Sequence, residues 1–199
     1  DEPLAEEICR NKQIAPLLIG RPSRREFLVE PAARGKLKQA LVKIGFPVED
    51  LAGYCAGDPL PIQLRPSTRG GLPFDLRPYQ QAAATVFHAG GSEKGGSGVI
   101  VLPCGAGKTV VGMACMAAVQ SSTLVLTTNI TASRQWIAEL LDKTTLHADQ
   151  IAEYNGSSKE VGPVTVATYQ ILTYRPKKDA DFLHLGLFDQ RNWGLIIYD

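Results

Sequence analysis

The chain has 199 residues, 44% of them hydrophobic and 21% charged. That length and composition describe a soluble globular protein with a real core, built as one large domain or two small ones. Lys and Arg number 21 against 20 Asp and Glu, so a net charge of +1 excludes a broad basic field, though not a local basic groove.

Four cysteines, Cys9, Cys55, Cys104 and Cys115, form no CxxC pair and no Cys/His cluster. This argues against a zinc motif or a disulfide framework and fits a reducing, intracellular compartment. There is no signal peptide and no apolar run long enough to span a bilayer, so no membrane partner is expected. The chain starts at Asp1 and stops inside LIIYD, Leu195 to Asp199, which reads as a fragment of a longer protein.

In chain order, Leu4 to Leu18 reads as a short helix followed by an extended piece broken at Pro16. Arg24 to Glu30 reads as a short strand. Between Pro31 and Pro47, Leu37, Leu41 and Ile44 fall at helical spacing, and Gly45 and Pro47 stop the helix. Lys36, Lys38 and Lys43 around it make a solvated face or a phosphate-touching one. Arg65 to Asp75 is rich in Gly, Pro and Ser and reads as a linker. A helix opens near Pro78, and GGSEKGGSG, Gly90 to Gly98, reads as a flexible loop.

The rhythm then becomes strand and helix in alternation. GVIVL, Gly98 to Leu102, reads as a strand, and KTVVGMACMAAV as a helix of small residues. Thr123 to Thr128 is a second strand. Thr131 to Lys143 is a helix with Trp136, Ile137, Leu140 and Leu141 on one side and Thr131 as its N-cap. Val164 to Tyr169 and Trp193 to Asp199 are two more strands. Short apolar strands alternating with helices predict an α/β fold, a parallel sheet covered by helices on both faces. The expected domains are residues 1–64, a small α+β domain; 65–75, a linker; and 76–199.

The chemistry concentrates where GVIVL meets the next helix. Pro103, Cys104, Gly105, Ala106, Gly107, Lys108 and Thr109 form a glycine loop ahead of a helix N-terminus. Gly105 and Gly107 permit backbone angles that turn several N–H groups to one side, where an anion is held. The helix end adds positive potential, Lys108 adds a full charge, and the Thr109 hydroxyl is placed to ligate magnesium. Cys104 reads as a small residue in a tight turn. Upstream, Arg77 and Gln80 have the chemistry to stack on and hydrogen-bond a purine, or they simply begin a helix.

LRPYQ, VLPCGAGKT, TTNITASRQWIAEL, VATYQIL and WGLIIYD, in that order, resemble the consecutive motifs of superfamily two helicases. More narrowly, VLPCGAGKT and the TNITASRQW phrase are similar to the XPB family of DNA repair and transcription helicases. In that superfamily the glycine replaced here by Leu102 is often missing. The resemblance runs from about Pro31 to Asp199, and LAEEICRNKQIAPLL looks like the tail of a bacterial-type N-terminal region. Gly35 to Ile44 with FPVEDLAGY looks like the small domain that precedes the motor, proposed to sense DNA distortion.

That resemblance implies a RecA-like first helicase lobe, truncated at the DEVH box, that uses ATP and Mg2+. Arg77 and Gln80 would contact adenine, Pro103 to Thr109 would hold the phosphates, and Lys108 would act catalytically. Asp199 is similar to the first residue of the DEVH box and would share the metal with Thr109. Asn129, Arg134 and Thr168 match strand-tracking positions and suit DNA phosphates. Read from their residues alone, Asn129 and Thr168 are equally turn residues and Arg134 a surface charge. Trp136 reads as core.

The implied partners are DNA, a second lobe of the same chain and a repair nuclease. The implied location is the cytoplasm, on the nucleoid, or the nucleus in a eukaryote. Two rivals predict different behaviour: a non-catalytic fragment that senses damaged DNA, and an unrelated phosphate-loop enzyme such as a small-molecule kinase whose turnover ignores DNA.

Overall fold

Near the N-terminus, Pro3 sits in the first turn of helix α1 (Glu2–Arg10), where its missing N–H costs nothing, and Ala5 is the buried residue. The computed structural model describes residues 2–46, 48, 56–92 and 95–199, divided between two units, Asp1–Leu51 and Ala52–Asp199. Pro47, most of FPVEDLAGY, Cys55, Glu93 and Lys94 lie outside the described residues.

In the first unit a 3-10 turn at Ala15–Leu17 leads into β1 (Leu18–Gly20), paired antiparallel with β2 (Leu28–Val29). The strand expected over Arg24 to Glu30 shrinks to those two residues. Helix α2 (Arg34–Lys43) follows. Arg21 Nη2 donates to Glu6 Oε1 at 2.6 Å, and this hydrogen bond and charge hold the Glu6 carboxyl below its ordinary pKa.

The second unit opens with an irregular segment and then α3 (Pro78–His88), with Pro78 at its first position. Helix α4 (Lys108–Val119), strand β3 (Thr123–Thr127) and helix α5 (Ile130–Lys143) succeed it. Then come β4 (Ile151–Tyr154), β5 (Val164–Thr168), the single turn α6 (Tyr169–Leu172) and β6 (Leu195–Tyr198). The strands form a parallel sheet in the order β4-β5-β3-β6. β3 and β5 are buried throughout, as inner strands covered on both faces must be. Val125 stands level with Val166 on one side and Ile197 on the other.

Strand alternation divides the core into two layers. Val125, Val164, Val166 and Leu195 face α3, α4 and α5, meeting Met113, Met116, Trp136 and Leu140. Leu124, Leu126 and Ala167 face the other way, against Ile171, Leu172 and Leu187. The sheet therefore has helices on both faces, long ones on the first and short turns on the second. This is the parallel sheet with helices on both faces that the sequence predicts, consistent with a RecA-like lobe.

Three sequence expectations change. GVIVL forms no strand: Val99 and Val101 are 89% and 87% exposed, and the run pairs with no described residue. An apolar run becomes a strand only when a neighbour takes up its backbone groups. The segment read as a linker is fastened instead, Arg65 N–H to Lys143 O at 2.8 Å and Arg69 N–H to Asp142 Oδ1 at 3.0 Å. Leu60 and Ile62, expected in the N-terminal domain, are buried in the core of the second unit, and the division falls after Leu51 rather than after residue 64. Their apolar side chains find the C-terminal end of α4, where Leu60 N–H donates to Gln120 O at 2.9 Å. No described helix is long and apolar enough to cross a membrane.

Candidate nucleotide site

The glycine loop turns as its sequence requires. Gly105 and Gly107 both take left-handed backbone angles, φ +76° and +77°. At Gly105 nothing stands within 4 Å of an added Cβ, so only the backbone angle demands glycine. At Gly107 space demands it as well, because a Cβ would lie 2.6 Å from Gln80 Nε2.

Of the loop amides, that of Ala106 returns to Pro103 O at 3.3 Å. Those of Gly105, Gly107, Lys108 and Thr109 have no acceptor among the described residues. The last two are the unpaired first N–H groups of α4, so a cluster of free donors sits at the positive end of a twelve-residue helix. Unpaired N–H groups at the start of a helix are the kind of donors that can receive an anion. Lys108 is exposed and shares a cavity of about 440 Å³ with Asp199.

Arg77, Tyr79 and Gln80 are drawn into the same loop. Gln80 is buried; its Oε1 accepts from Arg77 N–H at 2.9 Å and its Nε2 donates to Ala106 O at 3.0 Å. The Tyr79 hydroxyl donates to the same carbonyl at 2.7 Å and accepts from Arg77 Nη1 at 3.2 Å. Gln80 thus caps its own helix and pins the phosphate loop. Tyr79 was missed in the sequence, although it stands inside LRPYQ beside two residues singled out.

Asp199 follows β6, its N–H donating to Leu126 O at 2.9 Å in continuation of the sheet ladder. Its Oδ2 accepts from the indole N–H of Trp136 at 2.7 Å. Trp136 is core, as expected, at 2% exposure, but it also carries a polar contact to the site. A buried indole N–H requires an acceptor, and that requirement was the available signal. One carboxylate oxygen and the Thr109 hydroxyl are hard oxygen donors, the chemistry that fits Mg2+, which keeps most of its shell as water and phosphate oxygen.

A second rim forms at the C-terminal ends of β3 and β5. Asn129, Thr168, Gln170 and Tyr174 line a recess of about 520 Å³ there. Asn129, not Thr131, is the N-cap of α5: its Oδ1 accepts from Ala132 N–H at 2.9 Å. An Asn with extended backbone ahead of the first helical turn makes that bond without strain. The Gln170 amide reaches across to Thr128 O, tying the two strand ends together. Arg134 lies outside this recess, exposed on α5 with Glu153 at 3.9 Å. The structure therefore gathers Asn129 and Thr168 and leaves Arg134 on the neighbouring surface.

The model of the family described as type III restriction enzyme, res subunit, matches residues 73–199. Over all 199 residues the chain is 50% identical to the DNA 3'-5' helicase XPB of Mycobacterium tuberculosis, covering 34% of that protein. It is 49% identical over the same span to the protein of that name from Kineococcus radiotolerans, again 34% of its length. It is 31% identical, over 87% of this chain and 22% of the relative, to the general transcription and DNA repair factor IIH helicase/translocase subunit XPB of Schizosaccharomyces pombe. The chain spans about a third of the length of the bacterial relatives it matches. The bacterial match includes the first thirty residues, beyond the Pro31 to Asp199 span that motif text supports.

Proposed function

The chain belongs to the family of type III restriction enzyme res subunits, and on that premise we propose that the complete protein is an ATP-driven DNA helicase or translocase working 3' to 5'. The observation that carries this reading is the glycine loop ahead of α4, with the amides of Gly105, Gly107, Lys108 and Thr109 left free among the described residues and Lys108 lining one cavity with Asp199.

In this reading the loop amides and the Lys108 ammonium hold the phosphate tail, and Thr109 and Asp199 hold Mg2+. Bound magnesium supplies charge neutralisation at the phosphates. Gln80, Tyr79 and Arg77 keep the loop in its receiving shape, and Arg77 keeps part of its guanidinium for the base. Asn129 and Thr168 offer amide and hydroxyl donors to DNA phosphates, with Arg134 beside them. A second lobe of the longer chain closes on the nucleotide and reopens after hydrolysis, which moves the strand. A repair nuclease is the partner that such a motor would serve.

Lys108→Ala in the complete protein is expected to abolish DNA-stimulated ATP hydrolysis, read with single-stranded and forked DNA. Wild-type turnover in that variant rules the proposal out.

The N-terminal unit supports a companion reading. Asp1–Leu51 is a unit of its own, with its own sheet and helices, as a DNA-distortion sensor ahead of a motor would be. Deleting it is expected to erase any preference for damaged over intact duplex at matched salt while leaving ATPase in place. Equal preference with and without the unit removes the sensor idea.

A further inference from the structure

The indole of Trp136 is placed as no ordinary core side chain needs to be. It is 2% exposed, seated between α4 and β6: a Cβ on Gly112 would lie 2.5 Å from its Cη2 and 3.4 Å from Ile197 Cδ1. Packing that close on the α4 side holds the ring against the helix. Its one polar atom, Nε1, donates to Asp199 Oδ2 at 2.7 Å, the short distance of a hydrogen bond to a charged acceptor. Asp199 Oδ1 has no protein partner among the described residues.

The carboxylate itself is exposed, at the end of a strand with a single neighbour among the described residues. A side chain in that position rotates freely unless something holds it. The backbone bond to Leu126 fixes Asp199 Cα, and the indole fixes one carboxylate oxygen. Together they leave the other oxygen as the ligand. Trp136 also rides on the helix capped by Asn129, so one rigid element runs from the candidate DNA rim to this carboxylate.

Resting on the nucleotide-site reading above, we infer that Trp136 is a positioning residue for the metal-holding carboxylate, its indole N–H orienting Asp199 toward the cation of a bound metal–nucleotide. It touches neither nucleotide nor metal. Its effect falls on metal affinity, and nucleotide binding without metal is independent of it.

The test uses the complete protein with ADP and Mn2+, the metal's affinity read by electron paramagnetic resonance. The informative replacement at position 136 is β-(3-benzothienyl)alanine, which keeps the bicyclic shape and exchanges the N–H for sulfur. Trp136→Phe is the encoded counterpart, checked for folding by its melting curve. Removing the N–H is expected to weaken Mn2+ binding about tenfold, the scale on which groups that orient metal ligands act, with metal-free ADP affinity unchanged.

Asp199→Asn separates this inference from the reading it rests on. If that substitution leaves Mn2+ affinity unchanged, the metal reading of Asp199 falls and the inference with it. If it weakens Mn2+ while the benzothienyl variant binds as wild type, the metal reading stands and the role of Trp136 is overturned. A second readout needs no variant. Trp193 donates its own indole N–H to Leu187 O at 3.0 Å, packs against the other core layer outside the cavity lining, and serves as the reference. Adding Mg2+ to the ADP complex is expected to shift the 15N indole resonance of Trp136 and not that of Trp193; a silent Trp136 resonance counts against the inference.

Discussion

Gln80 and Ala106 are joined by a 3.0 Å hydrogen bond from a buried side-chain amide to a carbonyl inside the phosphate loop. The family resemblance gives this glutamine to adenine, yet both ends of its amide are engaged within the protein. A glutamine that pins the loop affects every ligand carrying the same phosphates. Gln80→Ala is expected to lower affinity for ATP and for tripolyphosphate alike, by about fivefold for the roughly 1 kcal/mol of a lost hydrogen bond. Calorimetry on both ligands decides the matter: a loss confined to ATP returns the side chain to the base.

Gly112 is the helix residue on which the indole of Trp136 rests. On propensity alone Gly112→Ala gains about 1 kcal/mol. The 2.5 Å approach to Trp136 Cη2 reverses the sign, because the buried ring, held at Nε1 by Asp199, must shift to admit the methyl group. The expected outcome is a net loss of about 1–3 kcal/mol in chemical denaturation, typical of an overpacked core.

Cys104 and Cys115 stand a few turns apart and behave oppositely. Cys104 is exposed in the phosphate loop, whereas Cys115 is buried on α4, and burial pushes its thiol up to about 11. At neutral pH iodoacetamide is expected to label Cys104 and spare Cys115 until the protein unfolds. Saturating ATP is expected to slow labelling at Cys104, as peptide mass spectrometry would show.

The same burial gives Cys115 a sign in pH. Its folded pKa lies above the ordinary thiol value of 9.0, so the stability it contributes is whole below that value and is lost as pH rises toward about 11. Cys115→Ala is expected to flatten the fall in melting temperature across that window relative to wild type. Parallel curves would remove Cys115 as a source of the alkaline loss.

Asn129 and Arg134 differ in what they hold. Asn129 caps α5, so Asn129→Ala is expected to cost about 1 kcal/mol of stability as well as any phosphate contact. Arg134 makes only a 3.9 Å ion pair on an exposed surface, so Arg134→Ala is expected to leave stability within about 0.5 kcal/mol. In DNA binding it should reduce the salt slope by about one. An unchanged slope would make Arg134 a plain surface charge.

What the sequence revealed follows from how local each signal is. The phosphate loop was legible because glycines at Gly105 and Gly107 dictate their own backbone angles. The inner strands were legible because continuous Val and Leu runs have nowhere to go but a covered sheet. β4 was missed: IAEY alternates half-buried and buried residues and is too short and polar to stand out. Val99 to Leu102 failed for the opposite reason, since an apolar run states what it would bury against and not whether a neighbour is there. Arg65 to Asp75 carries turn chemistry without slack, because its backbone bonds go to the far end of α5. Which polar group meets Trp136 is decided by chain 63 residues away, and no local pattern encodes it.

β6 closes one margin of the sheet with β3 as its one partner among the described residues, and Asp199 hangs from its last rung. In this chain, amide deuterium exchange should therefore begin along that margin, while β3 and β5 stay protected until the whole unit melts. The carboxylate proposed to meet the cation is thus anchored to an edge strand of the sheet. Loss of that edge strand would remove Leu195 to Asp199 from the cavity lining while leaving β3 and β5 paired.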